Sequence, residues 1–237
     1  MTVKTLSIRL LLLVLPWLVV VRSVHSQPAD SPLTFHLRLL KVDANAAASI
    51  HSFLGAAPAT EGISVAPLPP GMDADELVRR AGAAGSAEIL AEPTMLTNDG
   101  HEASFLAGSS FPFPVVEPGA GHVSIDWREF GLRLDMLPAI GGAGIGLRVD
   151  SDVSFLDFGH AVTVNGFAVP GMTKRHNKTR LDLADGQSFV INGLVDRDLT
   201  TAMSKLPGVK DIPLLRDIAA LGDHQLVAVV SIDRPAR

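Results

Sequence analysis

The sequence has no cysteine and no tyrosine among its 237 residues. Without cysteine there is no disulfide framework, no thiolate metal site and no lipidated cysteine of the bacterial lipoprotein kind. Without tyrosine, an aromatic girdle at a membrane boundary would fall to ten phenylalanines and two tryptophans. Histidine is present but scattered: His25, His36, His51, His101, His122, His160, His176 and His224 include no pair three to five residues apart, so zinc-ligand spacing is lacking. A long apolar helix is lacking too. Residues 10–21 form an unbroken apolar run of 12 with Pro16 inside it, short of the roughly 20 needed to cross a bilayer as a helix. Lys4 and Arg9 precede this run and Val24-His25-Ser26 follows it, so residues 1–26 read as a secretory signal peptide. That leader holds three of the 20 basic residues and no acidic one, which leaves 17 basic against 25 acidic, a balance of −8 that argues against nucleic acid as a partner.

What is there is mostly strand pattern. Residues 33–42 (LTFHLRLLKV) alternate loosely and predict one strand, and residues 44–54 a short helix. Residues 55–71 hold four prolines and three glycines and read as a linker or long loop. Asp73 with Glu76 three residues on is a capping box, and it predicts a helix over 74–84. From residue 88 onward the chain reads as strands and turns. Phe130, Leu132, Leu134 and Met136 alternate with polar residues or glycine, as do Ile145, Leu147 and Val149, and the "GGAG" at 141–144 joins them as a hairpin. A second hairpin is expected through Asp185-Gly186, from Thr179, Leu181 and Leu183 into Phe189, Ile191 and Leu194. Four strands of about eight to twelve residues result.

Each strand has one apolar face, and a buried Leu, Ile, Phe or Met is worth roughly 1.5 to 3 kcal/mol over an exposed one. That face needs a cover. A soluble sandwich would supply it from the rest of the chain; a membrane barrel would supply it from lipid, and roughly 9 to 11 residues per strand is a suitable length. In lipid no sheet edge can stay open, and single-chain barrels close with about eight strands or more, so a four-stranded chain would have to share a barrel with other copies.

Residues 91–115, "AEPTMLTNDGHEASFLAGSSFPFPV", invite a catalytic reading because they bring together His101, Glu102 and Ser104. Adjacent residues in a strand face opposite ways, however, and no strand-to-helix nucleophile elbow follows. They read instead as a bend at Pro93, a hairpin turn at 97–100 (TNDG), a strand over 101–106 and then Gly108 with "FPFP" leading into a glycine-rich loop ending near Gly121. "GGAGIG" at 141–146 lacks the lysine and helix of a phosphate loop. Asn177-Lys178-Thr179 fits the glycosylation sequon, a pattern frequent by chance. Within 206–222, Leu214, Leu215, Ile218 and Leu221 would share one helical face, suited to a core or to a lipid surface, and residues 225–232 predict a last strand.

The ordered set "ILAEPTMLTNDGHEASFLAGSSFPFPV", "FGLRLDMLPAI", "LRVDSDVSFLD", "VPGMTKR", "LADGQSFVINGL" and "LPGVKDIPLL" resembles the secretin domain of type II and III secretion and tight-adherence pilus systems, over residues 88–232. The resemblance implies a mainly β fold with minor α: secretin-type β-hairpins adding four strands per subunit to a shared double-walled β-barrel, after a small α/β segment at 27–87. It implies a gate at Gly108, Pro112, Pro114, Gly119 and Gly121, and a membrane-surface helix carrying Leu214, Leu215, Ile218 and Leu221. The apolar faces at Phe130, Leu132, Leu134, Met136, Ile145, Leu147 and Val149 would then be covered by lipid and sister subunits. The chain departs from the family pattern at Arg216, where glycine is usual, and at Gln225, where glutamate is common; fewer than 65 residues lie between the leader and the matched region. The implied protein is no enzyme and needs no cofactor or metal. It is an exported, homo-oligomeric outer-membrane channel with secreted protein or pilin as cargo, and with lipid and inner-membrane secretion components as partners. The other reading is a soluble periplasmic binding or scaffolding module.

Overall fold

The computed structural model describes residues 32–55, 62–116, 122–142, 144–164, 166–195, 197–204 and 209–234. The expected signal peptide, Gly119 and Gly121 lie outside them. In chain order the elements are β1 (Pro32–Val42), α1 (Ala44–Leu54), β2 (Ser64–Pro67), α2 (Ala74–Ala84), β3 (Ala87–Ala91), β4 (Thr94–Asn98), β5 (Ala103–Val116), β6 (Val123–Gly141), β7 (Gly144–Val164), β8 (Phe167–Leu183), β9 (Phe189–Asn192), α3 (Arg197–Ser204), α4 (Pro213–Ala219) and β10 (Gln225–Asp233). They build two antiparallel sheets. One is six-stranded in the order β2-β9-β10-β1-β3, with β4 continuing beside β1; the other is four-stranded in the order β5-β6-β7-β8.

The six-stranded sheet is apolar on both faces because its central strands bury every second residue on each side. Leu33, Phe35, Leu37 and Leu39 of β1, with Leu226, Ala228, Val230 and Ile232 of β10, face the four-stranded sheet. Leu40, Val42, Val190, Val227 and Val229 face the other way, onto Ala46, Ala47 and Ile50 of α1 and Leu77 and Ala81 of α2. The molecule is therefore helix pair, sheet, sheet. The segment before residue 88 is woven into it, since β1 lies between β10 and the β3–β4 edge.

Both predicted helices start where their caps stand. The Asp43 carboxylate accepts from the Ala46 amide at 2.8 Å and from the Ser86 amide at 2.8 Å, and these donors hold its carboxyl below the usual carboxylate range. Asp73 accepts from the Glu76 amide at 2.7 Å. On α1, His51 is buried against the helix-side core, and burial lowers its pKa from 6.5. A folded-state pKa below the unfolded one means that the neutral ring is favoured, so its contribution is present above about pH 6.5 and lost as pH falls below that. The thermal midpoint should drop between about pH 7.5 and about pH 5.5 by more in the wild type than in His51→Phe; parallel melting profiles would refute this.

Several elements differ from expectation. Residues 55–71 are not all linker, because 64–67 pair with β9 as β2. The turn at 97–100 exists, with the His101 amide donating to the Asn98 carbonyl at 3.0 Å, but it joins no hairpin: β4 pairs with β1 and β5 with β6. Asp99 accepts from the Ile140 amide at 2.7 Å and so directs the chain from one sheet to the other. Asp185-Gly186 is likewise a crossing, from β8 in one sheet to β9 in the other. The second hairpin of the four-stranded sheet is instead β7–β8, turning just before Phe167. Its strands run 14, 19, 21 and 17 residues rather than eight to twelve. The α3 helix was also missed among the expected strands and turns; its Leu199, Thr200 and Met203 are buried.

Candidate functional site

The four-stranded sheet is one sheet only at its base. β6 pairs with β7 from Gly131↔Ser154 to Gly141↔Gly144, and no further. Beyond that point β5–β6 continue to Val116↔Val123 and β7–β8 continue to Val164↔Phe167. Two ribbons thus leave the base side by side. The eight residues 123–130 alone reach about 27 Å at about 3.4 Å each.

At the base the two faces have opposite characters. Phe130, Leu132, Leu134, Met136, Ile145, Leu147 and Val149 are all buried, Leu134 at 0 % exposure, in the core shared with β1, β9, β10, α3 and α4. This corrects the expectation that lipid and sister subunits cover them: the chain's own second sheet does so. The reason is length, since β1 and β10 lay an unbroken apolar row of their own over that face. The same core takes in the α4 stripe. Leu215, Ile218 and Leu221 are buried and Leu214 packs against them, so the helix expected at a lipid surface turns its apolar side inward.

The opposite face carries a lattice of charge in register. Ser104, Asp135, Asp150 and Lys178 form one cross-strand row; Leu106, Arg133, Asp152 and His176 form the next. Arg133 reaches Asp135 at 3.0 Å and Glu129 at 2.9 Å, Lys178 reaches Asp150 at 3.1 Å, His176 lies 3.2 Å from Asp150, and Lys174 pairs with Asp152. Arg133, Lys174 and Lys178 are solvated, and each exposed pair is worth about 0–1 kcal/mol, so their role is to keep this face wet rather than to hold the fold.

Past the fork, the wet face of the first ribbon turns apolar, while the other face mixes aromatic residues of β5 with charged residues of β6. On the face that continues the charged rows, Trp127, Ile125 and Val123 stand opposite Pro112, Pro114 and Val116. Trp127 is 65 % exposed. On the other face, Phe113 lies under the Arg128 guanidinium, 5.2 Å from its ring centroid. The change falls between Glu129 and Trp127, just past Gly108↔Gly131, where the two backbones meet closely: a Cβ on Gly108 would lie 2.1 Å from the Phe130 carbonyl oxygen, and one on Gly131, whose φ is +133°, would lie 2.2 Å from that of Ala107. Of the expected gate residues, Gly108, Pro112 and Pro114 are therefore in a strand and not in a loop. The two prolines are two apart, so their nitrogens point the same way. Proline is accommodated in a paired strand where its nitrogen faces the unpaired edge, here the outer side of β5.

The second ribbon ends in residues 158–172, FGHAVTVNGFAVPGM, which contain no Asp, Glu, Lys or Arg. Val162 and Phe167 are each 60 % exposed. This stretch gave no alternating signal because both of its faces are apolar. The signal that could have found it was the absence of charge. No group of three or more His, Asp or Glu side chains suited to a metal ion occurs among the described residues. No helix among them is long and apolar enough to cross a membrane, which says nothing of strands.

Among the described residues the geometry is thus that of a two-layer β structure with a wet charged face, unpaired outer strands and projecting apolar ribbons. The sequence model described as bacterial type II and III secretion system protein, secretin, matches residues 81–219, more than half of the chain, and the chain belongs to that family. Secretins are channel proteins, not enzymes, and family members form outer-membrane channels for secretion or pilus export. Similar curated proteins include an uncharacterized protein, y4xJ, of Sinorhizobium fredii, 42 % identical over 130 residues (54 % of this chain, 30 % of that protein). Secretin GspD of Vibrio cholerae is 30 % identical over 136 residues (55 % and 19 %). The chain thus spans less than a third of the length of these relatives. Among solved structures, the V. cholerae type IV competence pilus secretin PilQ is 13 % identical, with 89 % of this chain and 62 % of that one covered at a TM-score of 0.41.

Proposed function

We propose that the chain is an exported subunit of a homo-oligomeric outer-membrane channel passing secreted protein or pilin. The carrying observation is the four-stranded sheet with two open edges. Among the described residues nothing pairs with the outer side of β5 or of β8. The strand count is even and every neighbour is antiparallel, so β5 and β8 run in opposite directions. A β8 of one copy laid along a β5 of the next continues the same antiparallel ladder, and repetition closes a tube without a free edge.

The charged face of the base suits a water-filled lumen, as barrel interiors are polar. Lipid then meets the uncharged end of the β7–β8 ribbon, around Val162, Val164, Phe167 and Val169, in place of the base. The β5–β6 ribbon is the gate, carried on Gly108, Pro112 and Pro114. Its proline edge cannot donate to a neighbour, so the ladder between copies stops at about residue 110 and leaves the ribbon end free to move. The self-covered base favours a second reading, a soluble periplasmic secretin-like binding or scaffolding module, because it needs no other copy to bury its core.

One substitution separates the two. In Leu106→Pro the lost donor lies on the outer edge, in phase with Pro112 and Pro114. The chain should keep its native circular dichroism, while detergent-resistant multimers in the outer-membrane fraction fall at least tenfold. Phe105→Pro, which removes a donor inside the sheet, should unfold β5. A wild-type chain recovered only as a periplasmic monomer establishes the second reading.

A further inference from the structure

Beyond the fork, something must set the distance between the ribbons. On β7 the register with β8 jumps: Asp157 faces Gly171 and Val162 faces Val169, so Phe158, Gly159, His160 and Ala161 stand opposite Pro170 alone. This bulge is tied at its root. The Asp157 carboxylate accepts from the Gly159 amide at 2.8 Å and lies 2.6 Å from His160 Nδ1. It presents the Phe158 ring to Phe111 on β5, centroids 6.2 Å apart and planes at 83°, edge to face. Phe111 meets Phe113 in the same manner at 5.3 Å, so three rings run from the second ribbon into the first. Phe113 is buried in the core between the sheets and Phe111 packs against it, while a crevice of about 90 Å³ beside Phe111, lined also by Ser109, Ser110, Phe130, Leu156, Val209 and Ile212, leaves that ring room to shift. An inserted segment this long gives up backbone pairing. What it supplies here is a bridge between two ribbons that share no hydrogen bonds at this level.

We propose that residues 157–161 form a latch: Phe158 holds the first ribbon against the second through Phe111, and loss of this ring contact frees the first ribbon to pivot at Gly108 and Gly131. The latch rests on the ring geometry alone; only its effect on permeation rests on the gate reading above. A pair of rings set edge to face contributes enough to change the population of an open arrangement by roughly three- to tenfold.

Amide hydrogen exchange on the full chain tests this. In Phe158→Ala, peptides covering 109–116 and 123–130 should exchange roughly three- to tenfold faster, while 131–141 keep their wild-type rate. Phe158→Tyr, which retains the ring edge, should exchange as wild type does, and so should Val162→Ala, which trims an apolar side chain of the same ribbon away from Phe111. Unchanged exchange at 109–130 in Phe158→Ala overturns the latch, as does an equal rise across 131–141. In cells, Phe158→Ala should admit a normally excluded dye at undiminished multimer level. Faster ribbon exchange without dye entry upholds the latch and removes the gate reading instead.

Discussion

Leu134→Asp should leave the chain unfolded in water and in detergent alike. Leu134 has no exposed surface and sits in the core between the two sheets, with Met136 and Leu147 in the same core. Truncating such a leucine to alanine costs about 2–5 kcal/mol. An unpaired carboxylate at that place adds several more, against a total stability of about 5–15 kcal/mol for a typical domain. Val162→Asp puts the same charge on the exposed ribbon end and should leave folding intact while reducing recovery from the membrane fraction. Urea titration followed by circular dichroism distinguishes the two sites. If the base were faced by lipid and sister copies, Leu134→Asp would instead fold as a lone chain and fail only in assembly.

The second large effect is expected at the glycine pair. In Gly131→Val, the side chain enters at φ +133°, a conformation that costs a non-glycine residue on the order of 1–3 kcal/mol, and its Cβ meets the Ala107 carbonyl oxygen at 2.2 Å. The overlap is with backbone, so relief comes only by separating β5 from β6 at the fork. The base below, held by the ladder from Gly131 to Gly141 and by the buried core, should persist. The expected phenotype is a multimer of wild-type mass whose pore admits a dye that the wild type excludes at least tenfold better. Gly142→Val, at a hairpin turn where a Cβ would meet nothing within 4 Å, is the control and should behave as wild type. A Gly131→Val multimer as tight as the wild type would show that the close backbone approach does not govern the ribbon.

Local chemistry made some elements legible in the sequence. The capping carboxylate at Asp73 placed α2, and the alternation of Phe130 to Met136 with Ile145 to Val149 placed the base hairpin with its buried residues, whereas the Asp43 cap of α1 went unread. The family's ordered motifs supplied the rest of the assignment. What could not be read was which sheet a strand joins. A turn sequence such as TNDG or Asp185-Gly186 reverses the chain whether the next strand pairs beside the last or crosses to another layer, and that choice is made by partners far away, here Ile140, which bonds Asp99, and Val230, which pairs with Phe189. The cover of the apolar face escaped for a related reason. The β1 and β10 rows that bury it lie about a hundred residues away on either side of the base strands, and no spacing rule connects them. The ribbon ends escaped because period-two patterning needs a wet face and a dry one, and 158–172 has no wet face.

That uncharged ribbon has a cost before any tube exists. Fifteen residues rich in Val, Phe and Ala, with no Lys, Asp or proline edge until Pro170, make a template on which other strands aggregate in water. Under the proposed function, a newly exported copy therefore has to reach its destination quickly or travel in the care of a chaperone. Purification is subject to the same limit: the yield of soluble single copies should be set by how soon the ribbon is shielded rather than by how stably the base folds.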